Sequence, residues 1–117
     1  MTNTSSFLSG SLDPWPAKET LRKLLQSNGL DIYLGKYSVR LMNLDSGSSF
    51  SFEHYGGDIC DPTISAYSNS PENMLSVAQL VSNTLIKAKI KHRFEIYDYE
   101  DKMTSYLHHE WPLAKSL

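Results

Sequence analysis

The strongest constraint on the fold is a helix start that occurs twice along the chain. The dipeptides Asp13-Pro14 and Ser70-Pro71 each place a side-chain oxygen directly before a proline. Such an oxygen accepts backbone N–H bonds at the start of a helix, and proline fits the first helical position, where its missing N–H is not needed. We therefore predict helices over residues 14–28 and 71–91, with Gly29 as the left-handed residue that ends the first helix.

Each predicted helix is followed by residues whose polarity alternates with a period of two, which is typical of strands with one buried face. The first pair of strands covers residues 30–44 and 49–53, joined by a turn at 45–48, and the second pair covers residues 93–99 and 103–111. Two hairpins of this kind predict an α+β fold: a four-stranded antiparallel sheet with two helices packed on one face, in the order αββαββ.

The length and the polar segments suggest how the chain is divided. At 117 residues, the chain has the usual size of one domain. Residues 1–11 are small and polar, so we expect a flexible N-terminal tail followed by a single α+β domain over residues 12–117. Residues 56–70 are rich in Gly, Asp, Pro and Ser, which predicts a long irregular connection.

Charge and cysteine content limit the partners and the compartment. The formal net charge of −2 provides no excess of basic residues for phosphate contacts, so we expect no nucleic acid partner. Cys60 is the single cysteine, which excludes an intramolecular disulfide and favours a reducing compartment. No apolar run approaches the roughly 18 residues of a membrane span. We therefore expect a cytoplasmic protein without a membrane partner.

The sequence has no signature of catalysis, of a cofactor or of a metal site. Phosphate-binding, dinucleotide-binding, serine-nucleophile and zinc-protease motifs are all missing, so the catalytic residues stay unknown and no cofactor or metal is expected. His108 and His109 are neighbours on a predicted strand, so they point to opposite faces and cannot share one metal ion there. A non-enzymatic role is favoured over an enzymatic one.

The most informative sequence feature is a tyrosine-rich face of the predicted sheet. If the phenylalanines face the helices, the opposite face carries Glu53, Tyr55, Glu95, Tyr97, Tyr99, Tyr106 and His108. Exposed tyrosines amid mixed charges are typical of protein interfaces, although cross-strand tyrosine pairs also stabilise a sheet. We predict a small protein-binding module, of the accessory kind, whose binding residues are Tyr97, Tyr99, Tyr106 and His108.

Two alternatives stay open. A small enzyme or ligand-binding domain would have a pocket between residues 56–70 and the second hairpin, lined by His54, Asp58, His108 and Glu110. A structural homodimer would form through the second helix, whose apolar surface is wider than contact with one sheet face requires. The predicted order of elements resembles that of secretion chaperones and toxin-neutralising immunity proteins, which implies a protein partner.

Overall fold

A computed structural model describes residues 4–53 and 62–111 of the chain. These residues form an α+β fold with seven strands and two helices, in the order βαββββαββ. The helices are α1 (Lys18–Ser27) and α2 (Pro71–Lys87). The strands are β1 (Ser6–Asp13), β2 (Ile32–Leu34), β3 (Val39–Leu41), β4 (Ser49–Glu53), β5 (Thr63–Ser68), β6 (Lys91–Asp98) and β7 (Met103–His109). No helix among the described residues is long and apolar enough to cross a membrane.

All seven strands belong to one antiparallel sheet, in the spatial order β2-β3-β4-β5-β1-β6-β7. The N-terminal strand β1 lies inside the sheet, because it pairs with β5 on one side and with β6 on the other. Leu8, for example, lies opposite both Ala66 and Ile96. The predicted four-stranded sheet in the order αββαββ is therefore wrong: β1 and β5 were missed, and the first predicted strand is two strands.

The two helices pack on one face of this sheet, and the core lies between the helices and that face. The helices contribute Leu21, Leu25, Met74, Ala78, Val81 and Leu85 to the core. The sheet contributes Leu8, Leu12, Val39, Leu41, Phe50, Phe52, Ile64, Ala66, Phe94 and Ile96. None of these side chains is more than 6 % exposed, so the apolar half of each alternating strand is what attaches the sheet to its helices.

The polar N-terminal segment forms a strand, although its composition predicts a flexible tail. We predict a tail over residues 1–11, whereas the structure places Ser6–Asp13 in β1. Leu8 and Leu12 are buried among the core residues. Gly10 lies so close to β6 that an added Cβ would be 2.8 Å from both the Arg93 carbonyl oxygen and Phe94 Cδ1. The small residues of this segment allow strands to approach closely.

The connection predicted over residues 56–70 and the single strand predicted over 30–44 also differ from the structure. Thr63–Ser68 form β5, in which Ile64 and Ala66 are buried and polar residues alternate with them. Residues 30–44 contain β2 and β3, which are joined by a tight turn where the Gly35 N–H donates to the Ser38 carbonyl at 2.9 Å. The hairpin formed by β6 and β7 agrees with the second predicted pair of strands.

The helix starts confirm one capping prediction and contradict the other. At α2, the Asn73 N–H donates to Ser70 Oγ at 3.2 Å, as the Ser70-Pro71 pattern predicts. At α1, Asp13 instead ends β1, and the helix begins at Lys18 without a side-chain cap. In this chain, the Asp13-Pro14 pair therefore follows the end of a strand and does not begin a helix.

Candidate functional site

The sheet face opposite the two helices, which we call the outer face, arranges its side chains in three rows that cross the strands. The first row holds Ser49, Tyr67, Phe7, Tyr97 and Met103. The second row holds Tyr33, Arg40, Ser51, Ser65, Ser9, Glu95 and Tyr106. The third row holds Glu53, Thr63, Ser11, Arg93 and His108. The outer face therefore has aromatic side chains along one edge, serines in its middle, and aromatic and charged groups on β6 and β7.

The β6–β7 end of the outer face carries a cluster of aromatic side chains, Tyr97, Tyr106 and His108, which we call the tyrosine cluster. The rings of Tyr106 and His108 stack, with their centroids 5.0 Å apart and their planes 28° apart. The Tyr97 hydroxyl donates to Glu95 Oε1 at 2.9 Å. This hydrogen bond to a carboxylate, together with burial, raises the pKa of Tyr97. The hydrogen bond to Glu95 restrains the orientation of the Tyr97 ring.

Charged side chains beside the tyrosine cluster, on the same outer face, pair with one another. Arg93 Nη1 donates to Glu95 Oε2 at 3.1 Å, so Glu95 bridges Arg93 and Tyr97. The Arg93 guanidinium also lies over the ring of Trp111, 5.5 Å from its centroid, which is a cation–π contact. Arg93 Nε is buried and has no hydrogen-bond acceptor. Arg93 and Glu95 thus form a nearly neutral ion pair beside the tyrosine cluster.

Three of the four predicted binding residues come together, and the fourth does not. Tyr97, Tyr106 and His108 lie on neighbouring strands of the outer face, as the period-two pattern predicts. Tyr99 lies in the turn between β6 and β7 and is 50 % exposed. The predicted companion Tyr55 lies outside the described residues. Sequence reasoning missed Trp111, whose position after β7 gave no sign of its contact with Arg93.

The structure describes two of the four residues of the alternative pocket, His108 and Glu110. His54 and Asp58 lie outside the described residues. Glu110 Oε2 is 3.7 Å from His109 Nε2. The described part of the predicted connection, residues 62–70, contains β5, which β1 and β6 separate from β7. Over the described part of the chain, no group of three or more His, Cys, Asp or Glu side chains could hold a metal ion.

His92 is a buried polar residue whose contacts the sequence did not reveal. Its Nδ1–H donates to the Ile90 carbonyl at 2.9 Å, and its Nε2 lies 2.7 Å from Ser82 Oγ. Because a carbonyl oxygen only accepts, Nδ1 carries the proton and Nε2 accepts from the serine hydroxyl. Burial lowers the pKa of His92, and repulsion from His109 and His108 lowers it further. The neutral ring fastens α2 to β6 and is too enclosed for catalysis.

A depression at the opposite end of the outer face is lined by Arg40, Ser49, Ser51, Glu53 and Ser65, and we call it the serine depression. Its volume is about 300 Å³. Ser51 is only 7 % exposed, and its hydroxyl has no hydrogen-bond partner. A buried hydroxyl without a partner costs about 1–3 kcal/mol. Within residues 4–53 and 62–111, neither Arg40 nor Glu53 forms an ion pair.

Comparison of the chain with protein-family models, with curated proteins and with solved structures finds no match. The resemblance to chaperones and immunity proteins depended on the order αββαββ, which the chain does not have. Inference about function therefore depends on the chemistry of the outer face alone.

Proposed function

We propose that the protein is a non-enzymatic binding module that captures another protein through the tyrosine cluster. The observation that supports this proposal most strongly is the grouping of Tyr97, Tyr106 and His108 on one face, with each ring held by a neighbouring side chain. Side chains that are already ordered lose little conformational entropy when a partner binds. Aromatic rings with a polar atom at the tip also contact both apolar and polar groups of a partner.

Exposed apolar side chains beside the cluster extend the surface that a partner would cover. Phe7 on β1 is 42 % exposed and lies next to Tyr97 in the sheet register. Its ring also contacts Tyr67, with the centroids 5.2 Å apart. Met103 on β7 lies opposite Tyr97 and is 54 % exposed. A contiguous patch of aromatic and methionine side chains has the composition of the centre of a protein interface.

The charges around the cluster favour a protein partner over a nucleic acid. Nucleic acid binding requires cations that are free to contact phosphates. Arg93, the cation next to the cluster on the outer face, is paired with Glu95 and stacked on Trp111. A partner that docks here therefore meets aromatic groups beside an ion pair that is already formed, which matches a protein surface of mixed polarity.

The test is affinity capture with matched variants. Tyr97→Ala, Tyr106→Ala and His108→Ala are combined in one bait, and Tyr33→Ala serves as the control. Tyr33 is 54 % exposed on β2, at the far edge of the same sheet, so the control also removes an exposed tyrosine. We expect proteins captured by the unmodified chain to be retained by the control and lost by the triple variant. Equal capture by all three baits, each folded by circular dichroism, would refute the proposal.

The homodimer alternative is supported by exposed aliphatic residues on α2. Leu75, Leu80 and Ile86 are between 39 % and 46 % exposed. Polar residues lie between them, however, and Gln79 donates to Asn83 at 3.1 Å along the same surface. This mixed surface is less suited to a stable dimer than a continuous apolar stripe. Light scattering at several concentrations is expected to give a monomer, and a dimer that Leu80→Ser dissociates would favour the alternative.

A further inference from the structure

The serine depression is a second site on the outer face, and we infer that it binds the carboxylate group of a small molecule. Its lining combines hydroxyl donors with one cation, Arg40, and one anion, Glu53. Neither charged side chain forms an ion pair in the described structure. A volume of about 300 Å³ falls at the lower end of small-molecule sites. The inference does not depend on the proposed capture of a protein.

The buried hydroxyl of Ser51 points to a ligand more strongly than a row of serines does. A serine hydroxyl has one donor and two acceptor positions, and buried ones are nearly always satisfied. Ser51 is 93 % removed from solvent, given its 7 % exposure, and its hydroxyl has no partner. Ser51 lines the depression, and its hydroxyl oxygen is closed off from solvent, so a rotation of the side chain would bring the hydroxyl to an oxygen of a bound carboxylate.

Arg40 supplies the charge that a carboxylate requires. The register of β3 and β4 places Arg40 directly opposite Ser51, on the same face of the sheet. A guanidinium offers parallel N–H donors that match the two oxygens of a carboxylate. Ser65 lies on the other side of Ser51, in β5, so donors flank the buried hydroxyl on both sides.

Glu53 limits the charge of the ligand. It lines the same depression two residues along β4 from Ser51. Phosphate carries about 1.5 negative charges at neutral pH, and a neighbouring carboxylate repels it more than it repels a singly charged carboxylate. The presence of Glu53 in the same depression as Arg40 therefore favours a monoanion, and in particular a carboxylate that carries an amino group.

The serine depression and the tyrosine cluster are separate sites. β5 and β1 lie between β4, which forms the floor of the depression, and β6, which carries Tyr97. No residue of the tyrosine cluster lines the depression. Loss of protein capture and loss of carboxylate binding are therefore distinguishable by which set of variants causes each.

The experiment is a titration of the isotope-labelled chain with sodium acetate, followed by amide chemical shifts, with sodium chloride at equal ionic strength as the reference. Acetate has few atoms, so we expect weak binding in the millimolar range. The expected result is a saturable shift of the amides of Arg40, Ser51 and Ser65 that chloride does not produce. Shifts that are linear in acetate or are reproduced by chloride would overturn the inference.

Substitutions of single residues test whether Arg40 and Ser51 bind acetate. Arg40→Gln is expected to weaken acetate binding by about tenfold or more, because it removes a charge-assisted hydrogen bond. Ser51→Ala is expected to weaken it about threefold to tenfold, without lowering the thermal stability of the free chain. Lys23→Gln, which removes an exposed cation from α1, is the control and leaves binding unchanged. Equal affinity of Arg40→Gln and Lys23→Gln would overturn the assignment.

A phosphate titration tests the chemical class of the ligand. We expect inorganic phosphate to bind the unmodified chain more weakly than acetate does. Glu53→Gln should narrow this difference, because it removes the repulsion in the depression. Phosphate binding as tight as that of acetate in the unmodified chain would contradict the carboxylate assignment.

Discussion

Replacement of Ser82 by alanine removes the only polar contact between the side chains of α2 and the buried ring of His92 that the described structure shows. Ser82 Oγ lies 2.7 Å from His92 Nε2, and both residues are at most 2 % exposed. Ser82→Ala leaves a buried nitrogen acceptor without a donor, which costs about 1–3 kcal/mol. Alanine is a better helix former than serine, so the measured loss is smaller by about 0.5 kcal/mol.

The matched control is Ser76→Ala, on the solvent-exposed side of the same helix. It has the same gain in helix propensity but no buried partner. Urea unfolding at pH 7.5, extrapolated to zero denaturant, gives the free energy of unfolding of both variants. We expect Ser82→Ala to be less stable than Ser76→Ala by about 1–3 kcal/mol. Equal stability of the two variants would refute the reasoning that the buried contact fastens α2 to β6.

Two further predictions concern His92 in β6 and Gly10 in β1. Because burial lowers the pKa of His92 from its ordinary 6.5, the unfolded chain binds more protons than the folded chain just below pH 6.5. The contribution of His92 to the free energy of unfolding is therefore complete above pH 6.5 and is lost as the pH falls toward its folded pKa. Between pH 7.5 and 5.5, His92→Phe should lose less stability than the unmodified chain, as measured by urea unfolding. Equal losses in the two proteins would contradict this. Gly10→Ala should destabilise the chain by about 1–3 kcal/mol through crowding, because its Cβ would be 2.8 Å from the Arg93 carbonyl oxygen and from Phe94 Cδ1. Ser9→Ala, on the outer face of β1, is the control, and equal melting temperatures of the two variants would contradict the central position of β1.

Elements with a strong local pattern were predictable from the sequence, and elements defined by distant pairing were not. The cap at Ser70 and the β6–β7 hairpin depend on neighbouring residues, and both appear in the structure. β1 is stabilised by pairing with β5 and with β6, which are more than 50 residues away in the chain. Its serines and Gly10 have little intrinsic preference for a strand, so the local pattern gives no sign of one.

Of the two candidate sites, the tyrosine cluster depends on a local pattern and the serine depression depends on distant pairing. Tyr97, Tyr106 and His108 share a face because their positions alternate within one hairpin, which the sequence reveals. The serine depression brings Arg40 beside Ser51 and Ser65 through three separate strands. Only the register between these strands creates that arrangement, and register across a sheet depends on the packing of the opposite, buried face.

The continuation of β6 to His92 was predictable in principle but was missed. His92, Phe94 and Ile96 occupy alternating positions and are all buried. The pattern of three fits a strand, but the predicted helix ran to residue 91 and the predicted strand began at residue 93, so neither element included His92. α2 instead ends at Lys87, so the alternation gave the correct assignment.

The most direct test of the proposed function is the footprint of a captured protein on the labelled chain, mapped by the broadening of amide resonances. The proposal predicts that broadening centres on Tyr97, Tyr106 and His108, extends to Phe7, and disappears with the triple alanine variant. A footprint centred on the exposed surface of α2, with the outer face unaffected, would contradict it.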